Sequence, residues 1–255
     1  MPDINAFVFD LDGTLVQTER LKARSYAKAA VELCPEDVTE DEVIEAYKDV
    51  VGESRQTVAT TLMERFDLEA SSAARMAEVD VGAPWQAFVQ VRLGYYEDLV
   101  QDPGVLRENR WPHTLSLLER ARKNQCTVAL ATTSRRKQAC HVLDVLGHDD
   151  TFDVVATADD VARTKPHPEI YRMCAVELGV APDRALAIED SPTGTQAALA
   201  AGLHCIAFGT PFTEARLRAE SPLDDHWIVS DPDELIATVD TLLKETATAA
   251  ESVTP

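Results

Sequence analysis

A single short apolar run near the start of this chain is cut off from every other strand-like run by a long all-helical stretch. Residues 4–9 are apolar and stop at Asp10-Leu11-Asp12-Gly13, the pattern of a fully buried parallel strand that ends in a loop. From residue 18 to about 101 the apolar spacing is helical, at 21–34, 40–51, 54–66 and 85–100, with breaks at Pro35, Gly52 and Gly82-Ala83-Pro84. After Asp102-Pro103-Gly104 short β-rich runs at 127–131, 152–156, 185–188, 205–208 and 227–229 alternate with helical segments at 114–123, 135–146, 168–178, 193–201 and 232–244. Alternation of this kind implies a parallel sheet covered by helices on both faces. The expected organisation is therefore an α/β unit split by a helical insertion: residues 1–17, then the insert 18–102, then 103–244. A small, polar tail at 245–255 is expected to be disordered. Ligands of such sheets bind beyond the carboxyl ends of the strands, where the loop after Phe9 falls.

Composition excludes several classes of function. A formal net charge of −20 argues against nonspecific binding to nucleic acid or to an anionic membrane, both of which require a basic surface. Any anion-binding site on such a chain has to be made positive locally, by a divalent cation and a few lysines or arginines. No run approaches the roughly 20 apolar residues that span a bilayer, and no signal peptide is apparent, so a cytoplasmic protein is expected. Cys34, Cys126, Cys140, Cys174 and Cys205 are scattered without metal-ligand spacing and read as reduced, mostly buried thiols. The six histidines share no helical face and read as structural or surface residues.

The chemistry centres on Asp10 and Asp12. Side chains two residues apart on extended backbone point the same way, and two carboxylates so aimed repel unless a cation lies between them. The alternative is a plain acidic turn in which Gly13 supplies a positive φ. Further along, Thr132 ends a strand-like run, Lys165 lies in Lys165-Pro166-His167-Pro168, and Glu189-Asp190-Ser191-Pro192 precedes a helix. Each has an ordinary reading: a strand-ending threonine, a solvated lysine, and acids beside a helix start capped by Ser191 with Pro192 at the first turn.

Taken together, Phe9-Asp10-Leu11-Asp12-Gly13-Thr14-Leu15, Thr132, Lys165 and Glu189-Asp190 resemble, in order, the four motifs of the haloacid dehalogenase-like superfamily. The resemblance implies a Rossmann-like doubly wound parallel sheet core with an inserted all-helical cap domain. It also implies a Mg2+-dependent phosphoric monoester hydrolase in which Asp10 is the nucleophile and forms an aspartyl phosphate, and Asp12 is the general acid and base. Lys165 and Thr132 would stabilise the transferring group, with Thr133 beside them as a substrate contact. Asp10, the main-chain carbonyl of Asp12, and Asp190 would hold the metal, with Glu189 adding to its shell directly or through water. A dehalogenase proper is disfavoured, since those members lack the second aspartate.

The helical insert resembles the small cap of the β-phosphoglucomutase-like branch. Within it Gly52-Glu53-Ser54-Arg55 is similar to a segment whose arginine grips the far phosphate of a doubly phosphorylated sugar, so Arg55 is a candidate substrate ligand; an exposed helix arginine is the alternative. Thr18 and Lys22, with Glu19, are weaker specificity candidates. Lys22, Lys28 and Lys48 are the amines available for a Schiff-base chemistry, but they match no pattern and read as solvated helix faces. Gln17 and Pro112-His113 depart from the branch's common aspartate and Pro-Gly. The expected partner is a small phosphorylated metabolite, with neither nucleic acid nor membrane, and the expected state is a monomer. The rival activities are a phosphomutase, against which Thr132-Thr133-Ser134-Arg135-Arg136 leans, and a noncatalytic binding protein on the same fold.

Overall fold

The computed structural model describes residues 4–34, 38–51 and 53–251. In chain order the elements begin with β1 (Ala6–Phe9) and six helices: α1 (Thr18–Leu33), α2 (Glu40–Lys48), α3 (Arg55–Arg65), α4 (Glu69–Arg75), α5 (Pro84–Gln101) and α6 (Pro103–Glu108). There follow α7 (Pro112–Lys123), β2 (Thr127–Ala131), α8 (Arg136–Leu146), β3 (Val154–Ala156), α9 (Glu169–Glu177) and β4 (Ala185–Glu189). The chain ends with α10 (Pro192–Ala201), β5 (His204–Phe208), α11 (Glu214–Glu220), β6 (Ile228–Val229) and α12 (Leu235–Glu251). Two compact units result, one of residues 1–17 and 109–255 and the other of residues 18–108.

In the first unit the six strands form one parallel sheet in the order β3-β2-β1-β4-β5-β6. The chain runs outward from β1 to β3 and then restarts on the other side of β1 with β4, so the strand order reverses between β1 and β4. Such a reversal opens a crevice at the carboxyl edge. β1 is buried on both faces, which is why it reads as a continuous apolar run. Phe7 and Phe9 stack on one side with ring centroids 6.2 Å apart. On the other, Ala6 and Val8 join Ala129, Ala131, Ala185 and Ala187, and these small side chains let Ile170, Tyr171 and Cys174 of α9 and Ala197 and Ala198 of α10 pack into one buried cluster.

The second unit is all helical among its described residues. α1 packs on α2 and α5, and α5 also receives α3 and α4. Tyr26 of α1 is central, with ring centroids 5.5 Å from Tyr47 and 5.6 Å from Phe88. α2 starts with a capping box in which Thr39 and Glu42 satisfy each other's backbone amides.

Several expectations need correcting. The insert does not end at 102, because Pro103–Glu108 forms a further helix grouped with residues 18–108. The last helix does not stop at 244 but continues to Glu251, so residues 245–251 are helical; 252–255 lie outside the described residues, as do the breaks at Pro35 and Gly52. The five cysteines are free, but only Cys174 and Cys205 are buried, and Cys140 is exposed. Among the described residues no helix is long and apolar enough to cross a membrane.

Candidate active site

Asp10 follows β1 directly, and its amide donates to Ile188 O of β4 at 3.0 Å, which carries the ladder one residue past the strand and places the carboxyl at the β1/β4 crevice. The chain then turns tightly. Leu15 N and Val16 N both donate to Leu11 O, and Gly13 N donates to Val16 O, with Gly13 at φ +89°. The turn is real, and Gly13 does more than relieve its backbone. A Cβ built at residue 13 would lie 1.8 Å from Asp190 Oδ2, so the missing side chain is the space the Asp190 carboxylate occupies.

β4 ends at Glu189, and Ser191 caps α10 by accepting from Gly194 N at 3.1 Å. The helix cap is present, and the two acids lie beside it in a buried cluster. A Cβ at Gly194 would lie 2.0 Å from Glu189 Oε2, so a second glycine admits the Glu189 carboxylate. Asp10, Glu189 and Asp190 are all buried and each brings a carboxylate oxygen within 4.8 Å of the others.

Lys165 holds this cluster together. Its ammonium, in a side chain only 4% exposed, donates to Asp10 Oδ1 at 2.6 Å, to Glu189 Oε1 at 2.5 Å and to Ala131 O at 2.8 Å. All three of its donors are used. Burial alone would lower the lysine pKa, but Asp10 and Glu189 outweigh it and hold the ammonium charged. The Asp10 carboxyl is also pushed up, to about 7, first by burial and then by the charges of Glu189 and Asp12, against the pull of Lys165. A buried carboxylate group with more negative than positive charge, lined only by oxygen donors, suits a hard divalent cation such as Mg2+.

Glu189 is also fully engaged by protein donors. Oε1 accepts from Lys165 and from the Tyr171 hydroxyl of α9, and Oε2 accepts from Asp190 N at 3.1 Å and Ser191 Oγ at 3.2 Å. Thr132 is buried after β2, and its hydroxyl, expected to face a phosphate, donates to Asp12 Oδ2 at 3.2 Å; Ser134 Oγ donates to the same oxygen at 2.6 Å. Thr133 between them is exposed. Tyr171 is absent from the sequence-based candidates, and Ser134 enters there only within the segment 132–136, with no contact assigned to it. Ser134 at least stands in the hydroxyl run Thr132-Thr133-Ser134, whereas Tyr171 sits on an ordinary helix face and carries no signal.

Thr18, Lys22 and Arg55 belong to the helical unit. Arg55 is exposed at the first turn of α3 after the N-cap Ser54, and lines a cavity of about 310 Å³ with Gln56, Val81, Trp85, Gln86, Val89 and Gln90. Lys22 pairs with Glu19 at 2.6 Å, and the Glu19 carboxylate also accepts from the Tyr47 hydroxyl at 3.0 Å. Thr18 is 2% exposed, and its hydroxyl has no partner among the described residues. Arg92, absent from the sequence-based candidates, is buried with its guanidinium carbon 4.9 Å from the Tyr26 ring and 4.6 Å from the Tyr96 ring. Lys28 and Lys48 pair with Glu40 and Glu45 on the helix surface.

Comparison with known proteins shows the family. The haloacid dehalogenase-like hydrolase family profile matches residues 4–202. Protein CbbY of Cereibacter sphaeroides is 31% identical over 209 residues, covering 80% of this chain and 83% of that protein. A phosphorylated carbohydrates phosphatase of Thermotoga maritima is 30% identical over 203 residues, covering 80% and 84%. Among solved structures, a CbbY variant from Rhodobacter sphaeroides in complex with xylulose-1,5-bisphosphate superposes with a TM-score of 0.60 at 25% identity, over 91% of this chain and 96% of that one.

Proposed function

Because the chain belongs to the haloacid dehalogenase-like hydrolases, we propose that it is a Mg2+-dependent phosphatase that releases phosphate from a small phosphorylated sugar or related metabolite through an aspartyl phosphate on Asp10. The observation that carries this reading is the buried convergence of Asp10, Glu189 and Asp190 with Lys165 at the β1/β4 switch point. Two relatives support the substrate class: one is named a phosphorylated carbohydrates phosphatase, and the other was solved with a sugar bisphosphate.

In the first step an Asp10 carboxylate oxygen attacks phosphorus, the bond from phosphorus to the leaving oxygen breaks, and Asp12 gives that oxygen its proton. In the second, Asp12 takes a proton from water, the water oxygen attacks the phosphorus, and the bond to Asp10 breaks, which restores both carboxyls. Lys165 stays against Asp10 throughout and offsets charge on the transferring group. Asp10, Asp190 and the main-chain carbonyl of Asp12 are the groups that would hold Mg2+, which would screen the repulsion between carboxylate and phosphate. Four protein donors on Glu189 favour an anchoring role for it, keeping Lys165 in place. Thr133 is offered as a further contact to the substrate. In the helical unit Arg55 is assigned to a second, nontransferring phosphate, with Thr18 and Lys22 as further specificity residues.

The test is a screen of sugar phosphates and bisphosphates for phosphate release, with and without Mg2+. Release confined to such compounds and dependent on Mg2+ is the expected result. Isomerisation of a hexose phosphate faster than phosphate release would replace the hydrolase by a mutase.

A further inference from the structure

The hydrolase reading requires Asp12 to hand over and recover a proton at one place in every turnover, yet Asp12 is partly exposed and follows a loop residue. A carboxyl on a turn has two rotatable bonds and two equivalent oxygens, so something must choose the rotamer and the oxygen. We propose that Ser134, with Thr132, is the positioning residue that makes this choice; the proposal rests on the hydrolase reading above.

The hydrogen-bond pattern is directional. Ser134 Oγ donates to Asp12 Oδ2 at 2.6 Å and Thr132 Oγ1 donates to the same atom at 3.2 Å. Ser134 N in turn donates to Thr132 Oγ1 at 3.0 Å, which occupies a lone pair of that hydroxyl and turns its hydrogen toward Asp12. Both donors are fixed to the sheet edge, because Thr132 N donates to Ala156 O at 3.0 Å and Ala158 N donates to Ser134 O at 3.1 Å. The hydroxyls therefore stand on framework, and the carboxyl is fitted to them.

Two hydroxyl hydrogens aimed at Oδ2 make that oxygen a poor place for a third. A proton on Oδ2 would displace at least one of them, whereas a proton on Oδ1 leaves both bonds intact. Oδ1 is thus the oxygen that carries the proton, and Oδ2 is a pivot held through both halves of the reaction. No bond at the pivot has to break when Asp12 changes from acid to base. Ser134, with the shorter bond, contributes more than Thr132.

The test is a double-mutant cycle read by steady-state kinetics on p-nitrophenyl phosphate with Mg2+. Ser134→Ala should lower kcat by roughly 10- to 100-fold with KM within about twofold, a part of what general acid and base assistance supplies. In the Asp12→Ala background the same change should have no further effect, since there is no carboxyl left to position. Ser134→Thr keeps the hydroxyl and should recover most of the lost turnover, which separates a positioning role from a defect in folding. If Ser134→Ala multiplies the loss of Asp12→Ala, or acts on KM, Ser134 touches the substrate directly and the proposal is overturned. If Asp12→Ala alone keeps full turnover, the hydrolase mechanism itself falls, and the proposal with it.

Discussion

Gly13 and Asp190 share one space: the carboxylate of Asp190 occupies the position a side chain at residue 13 would take, with Oδ2 1.8 Å from where its Cβ would lie. The turn that carries the two aspartates and the loop that carries the third acid are therefore fitted to each other. Gly13→Ala should destabilise the protein by about 1 to 3 kcal/mol, since φ +89° and the clash add. It should also abolish most activity by displacing Asp190. A melting temperature and turnover equal to those of the wild type would contradict the fit.

Asp190 and Glu189, though adjacent, should fail in different ways. Asp190→Ala should raise the Mg2+ concentration needed for half-maximal rate while leaving measurable turnover at saturation. Glu189→Gln should instead lower kcat even at saturating Mg2+ and destabilise the fold, because it leaves buried Lys165 with one counter-charge in place of two. Metal titrations of the two variants check this. Identical shifts in Mg2+ requirement would put Glu189 among the ligands.

Acid dependence in chelator follows from Asp10. Its carboxyl is pushed up to about 7 in the folded protein by burial, with Glu189 and Asp12 adding to the effect. The folded state therefore holds this proton more tightly than the unfolded chain, and the associated stability is present at about pH 4 and lost as pH rises through about 7. Metal-free protein should melt at progressively lower temperature across that window, Mg2+ should restore stability above it, and Asp10→Asn should flatten the chelator profile. Parallel profiles for wild type and variant would remove the cause.

Arg55→Ala should raise KM for a sugar bisphosphate and barely change the kinetics of p-nitrophenyl phosphate, which has no second phosphate to grip. Equal losses toward both compounds would show that Arg55 does not recognise the remote group.

Most of the sheet is legible in the sequence because β1, β2, β4 and β5 are buried along nearly their whole length, so 4–9, 127–131, 185–188 and 205–208 stand out as apolar runs. α4 and α11 leave no periodic stripe in the sequence, because each buries one side chain, Ser72 and Leu217. The tail from Glu245 to Glu251 looked unstructured for its small polar residues. It is helical because α12 is already nucleated on buried Leu235, Val239 and Leu242, and extension costs little. Asp10, Lys165 and Asp190, which the structure brings together, stand in ordered motifs, the two aspartates directly after strands and Lys165 in the loop ahead of α9. Tyr171 and Ser134 are not legible in this way, since their roles lie in contacts made across the fold with Glu189 and Asp12.

The central claim is that Asp10 takes the phosphoryl group. Acid-quenching the enzyme during turnover of a sugar phosphate with Mg2+, reducing with borohydride and sequencing by mass spectrometry reads this directly, because an acyl phosphate is reduced to an alcohol and a free carboxylate is not. Reduction of the Asp10 side chain, present only with substrate and Mg2+ and absent in Asp10→Asn, is the expected result. Undiminished phosphate release in Asp10→Asn, or turnover that leaves Asp10 unreduced while another side chain is modified, would contradict it.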